Sequence, residues 1–534
     1  MRHVKLLDCT LRDGAYLVDK TFGDSIITGM IDGLSTANID IIEIGFLQDE
    51  GVGTGKTVYK NSVDAKRVLL EKRKDCIYTV LADYSRYSID NLDEYTGNSF
   101  DAVRACFFKK ERHAALDFFR QIKKKGYKLF IQPVDILGYS DKELLDLLES
   151  INEIEPYCFS IVDTFGSMYI DDLTRIYSLI HHNLVNSCKI GFHSHNNMQM
   201  SNALSQEFIR MSYGQREVVV DATISGMGRG AGNTPTELVA QYLITKLGYN
   251  YDMDVILDVI DQYMPNIRKK CTWGYSTPYF IAGSYGAHVN NISFLKQKNS
   301  IASKDIRFIL NKIGIEQRKR YNYDFLEQTY TEYLKSDIDD ETVIEELRKK
   351  LSGKNIVMIA PGASAGNTAI IEDYINTKDA VVISINFIPK NIKTDYLYLN
   401  NVKRYKVLKK EKEFKNINKI FTSNIVDKDN EHYVINFSRL IKCGWEHMDN
   451  SSIMLLRLLD ILDVKSIGIA GLDGYDKDVQ NYVSEDMVQD QNADNQRINE
   501  EIREMLSDFI ENRKHKFLIE CITNSRFKNT IEGK

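Results

Sequence analysis

Through the first half of the chain, short apolar runs alternate with segments whose apolar residues recur every three or four positions. The runs are Val4–Asp8, Ile39–Phe46, Cys76–Ala82, Ala102–Phe108, Lys128–Val134, Cys158–Asp163, Lys189–His195 and Val218–Ser225. Between them, Asp24–Ala37, Ser62–Glu71, Arg112–Lys125, Asp141–Ile151, Ile170–Asn183, Met200–Met211 and Thr236–Leu247 carry the spacing of one helical face. Strand-then-helix units repeated in this way predict a parallel sheet. Eight of them close naturally into a (β/α)₈ TIM barrel. A doubly wound open sheet is the alternative, but it usually has fewer strands and a glycine-rich turn after the first. Here the first strand runs into Thr10-Leu-Arg-Asp-Gly14 instead.

The pattern changes after about residue 265. Residues 266–350 read as a helical, aromatic-rich appendage, with the charged stretch Asp337–Lys350 as a connection onward. A second α/β pattern follows over 351–534. Strands are predicted at Asn355–Ile359, Ala380–Asn386, Tyr396–Leu399, Lys419–Thr422, Tyr433–Phe437, Ser466–Ala470 and Phe517–Ile522, which make a Rossmann-like sheet. The stretch Tyr475–Asn495, rich in Asp, Asn and Gln, reads as a loop.

Composition narrows the partners. A chain of 534 residues is too long for one core. A net charge of −6 gives no electrostatic reason to expect nucleic acid. Eight scattered cysteines without a Cys-x-x-Cys pair suit a reducing compartment. Without an apolar run long enough for a signal peptide or a membrane span, the expectation is a cytoplasmic protein. A homo-oligomer is also expected.

Chemistry enters with His193 and His195. Side chains two apart on a strand point the same way, so Gly191-Phe-His-Ser-His-Asn-Asn197 aims two imidazoles at one point. In a barrel, chemistry gathers at the C-terminal strand ends. Read strand by strand, those ends offer Arg12 and Asp13, then Glu43, Arg104, Gln132, Asp163, the histidine pair, and Gly226-Met-Gly-Arg-Gly-Ala-Gly-Asn233. One carboxylate (Asp13), two imidazoles, an amide oxygen from Asn233 and waters suit a six-coordinate hard cation, Mn²⁺ or Mg²⁺ first, with Co²⁺ or Zn²⁺ as alternatives. Each residue alone has a structural reading, a helix cap or a satisfied core histidine. Their arrival at one rim does not.

Leu7-Asp-Cys-Thr-Leu-Arg-Asp-Gly14, Gly191–Asn197 and Gly228-Arg-Gly-Ala-Gly-Asn-Thr-Pro235 resemble the hallmark segments of the DRE-TIM metallolyase superfamily, with wording similar to its 4-hydroxy-2-oxovalerate aldolase branch. The resemblance covers about residues 3–340. It implies a metal held by Asp13, His193 and His195, with Asn233 as a further ligand, and Arg12 as the donor to an enolate oxygen. The substrates it implies are a pyruvate-like 2-oxo acid and an aldehyde. One departure stands out: that branch carries a His two residues after the Arg-Asp-Gly triplet, and this chain has Tyr16. The base is therefore open between a metal-bound water, Tyr16 and His288. Glu43 could orient substrate, and Asp163 and Tyr275 could line the pocket. Arg104 either binds a carboxylate or forms a structural ion pair.

The last domain weakly resembles Rossmann-like bacterial sialyltransferases and pterin pyrophosphokinase-like domains. That resemblance implies a nucleotide or nucleotide-sugar pocket lined by Gly362, Ser364, Asn386, Ser452 and Asp473. Three readings follow. The first is a metal-dependent aldolase or lyase, in the setting of surface-carbohydrate synthesis. The second is an acetyl-CoA-dependent Claisen-type synthase on the same metal. The third is a glycosyltransferase or nucleotide-binding protein whose barrel is only a scaffold.

Overall fold

The computed structural model describes residues 3–297, 301, 303–334, 338–425, 432–442, 445, 450–477, 479–484, 487 and 494–533. The chain divides into two compact units, Met1–Ile292 with Arg318–Arg320, and Ser293–Gln317 with Tyr321–Lys534. The break expected at 265/266 lies inside the helix Met253–Arg268, and the helices expected as one appendage over 266–350 are shared between the units.

The first unit is built on β1 (Val4–Asp8), β2 (Ile41–Leu47), β3 (Ile77–Asp83), β4 (Ala102–Phe107), β5 (Lys128–Pro133), β6 (Cys158–Asp163), β7 (Lys189–Ser194) and β8 (Val218–Ala222). Each pairs in parallel with the next, and β1 also pairs in parallel with β8 (Val4 opposite Val218), so the sheet closes on itself. The eight apolar runs are thus the eight staves of a TIM barrel. A two-residue ribbon, Val58–Tyr59, rides on the end of β2.

Period-two alternation sets the barrel interior. Leu7, Ile41, Ala102, Phe130, Cys158 and Val219 form a buried apolar floor. Two residues further along, the same face of several strands turns polar: Glu43, Arg104, Gln132, Ser160, His193 and Asp221, all buried. The other face of each strand packs on the surrounding helices in one continuous apolar core. Those helices have local start signals, as where the Ser140 hydroxyl accepts the Glu143 N–H and the Glu143 side chain answers on the Ser140 N–H.

One predicted helix is largely absent. Ser62–Glu71 shrinks to the turn Ser62–Ala65. Beyond it, Arg67 is drawn off to the Gly53 carbonyl (2.8 Å) and over the Tyr59 ring (4.9 Å), and only i→i−3 bonds continue. The stretch expected to connect the domains, Asp337–Lys350, also differs. It holds the helix Glu341–Leu351, which buries Ile344, Leu347 and Leu351, while Asp340 pairs with Arg439 at 2.6 Å.

The second unit holds β9 (Asn355–Ile359), β10 (Val381–Ile385), β11 (Tyr396–Leu399), β12 (Asn418–Thr422), β13 (Tyr433–Ile435), β14 (Ser466–Ala470) and β15 (Leu518–Cys521). All pair in parallel, in the order β13-β12-β11-β10-β9-β14-β15. The order reverses at β9, so the crevice at the ends of β9 and β14 is the topological switch point of a Rossmann-like sheet. Of the predicted loop Tyr475–Asn495, residues 478, 485, 486 and 488–493 lie outside the described residues. No helix among the described residues is long and apolar enough to cross a membrane.

Candidate metal centre

The turn after β1 lays Arg12 and Asp13 across the barrel mouth, because the N–H groups of both fold back onto the Cys9 carbonyl at 3.1 and 2.8 Å. There Asp13 Oδ2 meets His193 Nε2 at 3.0 Å and His195 Nε2 at 3.3 Å. The other nitrogen of each ring is fixed from behind. His193 Nδ1 lies 2.9 Å from the Asp221 carboxylate, and His195 Nδ1 lies 2.9 Å from the Asp163 carbonyl. Both partners accept only, so each ring carries its proton on Nδ1 and presents a lone pair from Nε2. Three lone-pair atoms therefore converge within 4.8 Å of one another.

A divalent cation fits that arrangement. Asp13 Oδ2 and Asn233 Oδ1 are both buried acceptor atoms with no hydrogen bond among the described residues. Asn233 is brought alongside by an antiparallel bridge to His195, while its amide nitrogen donates to the Met227 carbonyl at 3.1 Å, leaving the oxygen as the available donor atom. Carboxylate, two imidazoles and an amide oxygen suit a hard or borderline divalent ion. The loop that delivers Asn233 needs its glycines: Gly232 has φ +83°, and a Cβ there would stand 2.0 Å from the Gly226 carbonyl oxygen. A second cluster, Cys9 with His193 and Asp221, also has ligand spacing. There burial pushes the Cys9 thiol well up, so it stays protonated, and His193 Nδ1 is already spent on Asp221.

Beneath the ligands runs a buried ion network. Glu43 Oε2 accepts from Arg12 Nε at 2.7 Å and from Arg104 Nη1 at 2.9 Å, and Arg104 Nη2 pairs with Asp221. Arg12 Nη1 lies 3.3 Å from Asp13 Oδ2. Three carboxylates against two guanidiniums leave one net negative charge, which a divalent cation complements. Burial alone would raise the Asp13 pKa, but Arg12 and the two imidazoles outweigh it and hold the carboxyl well below its usual range. For His193, burial pulls down while the carboxylates Asp13 and Asp221 pull up, and the carboxylates win. Proton and cation thus compete for the same Nε2.

The remaining predicted residues fall at different distances from this centre. Arg104 is fully buried and turned to Glu43 and Asp221, which makes it a positioning residue beneath the ligands. Asp163 positions His195 through its carbonyl; its carboxylate accepts the Ser167 N–H at 2.9 Å, and burial raises its pKa to about 6. Tyr16 stacks edge-on to Phe46 (5.3 Å) under the Arg229 guanidinium (4.0 Å), and burial raises its phenol pKa despite Arg229 and Arg12. His288 is held near 3 by burial and by the charges of Arg229 and His195, so its imidazole is neutral. Tyr275 is 66% exposed, and no described contact joins it to the centre.

Two functional positions were missed from sequence. Asp221 interrupts a valine strand, and a buried acid in an apolar run demands a partner; that was the available signal. Arg229 sat unassigned inside a glycine-rich motif. In the second unit, the predicted residues form two clusters. The Ser364 N–H (2.7 Å) and hydroxyl bind the Asp473 carboxylate across the switch point, where a Cβ on Gly362 would meet the Gly471 carbonyl at 2.3 Å. Asn386 donates to Asn400 (3.0 Å) and to Ser451 (2.8 Å), beside the buried Ser452 at the start of the helix Ser451–Ile461.

The fold is a TIM barrel, and its mouth gathers residues that could hold a divalent metal. The HMGL-like family model matches residues 3–262, the stretch that forms the barrel. Among curated relatives, the 4-hydroxy-2-oxovalerate aldolase of Thermomicrobium roseum is 26% identical over 343 residues, 59% of this chain and 93% of the relative. That of Pseudoalteromonas translucida is 24% identical over 333 residues, 58% of this chain and 91% of the relative. The oxaloacetate decarboxylase of Mycobacterium tuberculosis is 25% identical over 243 residues, 45% of this chain and 69% of the relative.

Proposed function

We propose that the barrel makes or breaks the C3–C4 bond of a 4-hydroxy-2-oxo acid, with a pyruvate-type enolate and an aldehyde as the two fragments. The observation that carries this reading is the meeting of Asp13, His193 and His195 beside the Arg12 guanidinium. A divalent cation, Mn²⁺ or Mg²⁺ by its donor set, supplies Lewis-acid polarisation of the 2-oxo group. Everything else falls to side chains. Glu43 takes the Arg12 Nε–H and fixes the plane of the guanidinium, whose other N–H groups meet the oxygen that turns negative at C2. Tyr16 keeps its proton at neutral pH and serves as the donor to the enolate carbon. His288, neutral throughout, accepts the hydrogen bond of the 4-hydroxyl.

The test is exchange of the pyruvate methyl protons into D₂O. Exchange that requires added Mn²⁺ and vanishes in His193→Ala supports the reading. Exchange that proceeds without metal, or survives that substitution, contradicts it. One observation favours a second reading. Neither Tyr16 nor His288 is an ordinary base, and decarboxylation of a 3-carboxy-2-oxo acid reaches the same enolate with no hydroxyl proton to remove. Release of CO₂ from oxaloacetate faster than cleavage of 4-hydroxy-2-oxovalerate would select it.

For the second unit, nucleotide binding at the switch point is the reading we favour, with Gly362, Ser364 and Asp473 at the crevice and Asn386 and Ser452 at the neighbouring rim. A CMP-induced rise in melting temperature that is lost in Asp473→Ala supports it. An unchanged melting curve for CMP, ADP and UDP alike counts against it.

A further inference from the structure

The metal centre accounts for one end of the proposed substrate. The turn after β1 and the glycine-rich loop after β8 also carry two cations that the centre does not use, Lys20 and Arg229. Arg229 lies 4.0 Å over the Tyr16 ring, Tyr16 meets Phe46 at 5.3 Å, and Lys20 Nζ lies 4.9 Å over the Phe46 ring. The four side chains make one cation–ring–ring–cation ladder. Among the described residues no carboxylate lies within 4.0 Å of Arg229 or Lys20; Lys20 instead donates to the neutral Gln48 amide at 2.8 Å. Both cations are half-buried. Nearby acids are otherwise directed: Asp83 toward Arg86 at 3.6 Å, and Asp13 toward the metal centre. Burial, together with Arg86, Lys56 and Arg229, holds the Lys20 ammonium below its ordinary range despite the attraction of Asp19.

Backbone geometry fixes this placement. Asp19 and Lys20 both adopt the left-handed region, at φ 47° and 57°, which non-glycine residues seldom enter twice in succession. The Lys20 N–H is tied to the Ala15 carbonyl and its carbonyl to the Thr57 N–H. A half-buried guanidinium without a carboxylate partner keeps N–H donors that an anion can take in charge-assisted hydrogen bonds. Arg229 also lies over Tyr16, the group placed at the enolate carbon.

We infer that the substrate fragment beyond C4 carries an anionic group, a carboxylate or a phosphate, that pairs with Arg229 and is seconded by Lys20. This rests on the 2-oxo acid reading and specifies its substrate class: an acidic aldehyde partner in place of a small neutral one.

The test is calorimetric and needs no turnover. Binding of 2-oxobutanoate, 2-oxoglutarate and 2-oxo-4-phosphonobutanoate is measured on the Mn²⁺-loaded full chain. At least one of the two distally charged acids should bind ten-fold or more tighter than 2-oxobutanoate. The tighter of the pair tells carboxylate from phosphate. Arg229→Met should bring the ratio to near one, and Arg229→Lys should keep part of it, which shows that charge rather than folding is being read. Equal affinity for all three acids overturns the inference. So does a ratio that survives Arg229→Met, or a uniform loss of all three in that variant, which would place Arg229 on the C1 carboxylate. Failure of D₂O exchange with the charge preference intact would sink the lyase reading and leave Arg229 as the anion-binding side chain of a 2-oxo acid site only.

Discussion

Two parallel sheets in this chain present polar rims at their C-terminal ends, and the rims are built on opposite principles. At the barrel mouth, buried charges are paired in a chain, Arg12–Glu43–Arg104–Asp221–His193, that ends on acceptor atoms with nothing to accept. At the rim of the second sheet, Asn386, Asn400 and Ser451 are neutral and satisfy one another. A mutually satisfied amide cluster holds loops together. A cluster of lone pairs demands a cation. The difference singles out the barrel rim as the one of the two whose open acceptor atoms suit a cation.

The largest effect that could break this contrast is on the ligands themselves. Asp13→Ala or His193→Ala should reduce Mn²⁺ binding and pyruvate proton exchange to background; retention of either signal would mean the convergent lone pairs hold nothing. Next comes the charge chain. Arg104→Met leaves Glu43 with Arg12 alone and Asp221 with His193 alone in the barrel interior, and urea unfolding should show a loss of about 3–5 kcal/mol. A loss under 1 kcal/mol would show that the pairs are solvated in solution.

Asp221→Asn is subtler. It keeps size and burial but lets the amide nitrogen face His193 Nδ1, so the preference for an Nε2 lone pair weakens. Mn²⁺ affinity by titration should fall about 10–100-fold, with the melting temperature changed far less than in Arg104→Met. By contrast, Asn386→Ala should cost about 1–3 kcal/mol in the second unit and leave Mn²⁺ binding untouched.

The smallest effect concerns pH. Burial raises the Asp8 carboxyl to about 6, although the Thr10 N–H and the Thr236 hydroxyl favour its ionised form. Between about pH 4 and pH 6 the unfolded chain has released this proton and the folded chain retains it, so Asp8 lowers stability as pH rises through that window. Asp8→Asn should flatten that slope in pH-dependent unfolding.

How much of this was legible follows from where each signal resides. The eight barrel strands and seven sheet strands announced themselves because apolar runs bounded by helical patterns are local, and the His193/His195 alternation needs only period two. Asp13 was legible because it follows the first strand directly. Asp221 was not: its role depends on the register of β8 against β7 and on Arg104 reaching across the barrel, which no local pattern encodes. Arg104 was named, with an ion pair as one of its two readings, but its partners lie 61 and 117 residues away and no local pattern names them. The helix Ser62–Glu71 failed for a different reason, since long-range pull on Arg67 outweighed helical spacing.

The most direct test of the central claim is anomalous diffraction from crystals soaked in Mn²⁺. One peak is predicted about 2.0–2.3 Å from Asp13 Oδ2, His193 Nε2 and His195 Nε2 together, with Asn233 Oδ1 facing it. A peak at Cys9 and Asp221 instead, or Asp13 turned away from an occupied histidine pair, would contradict the account.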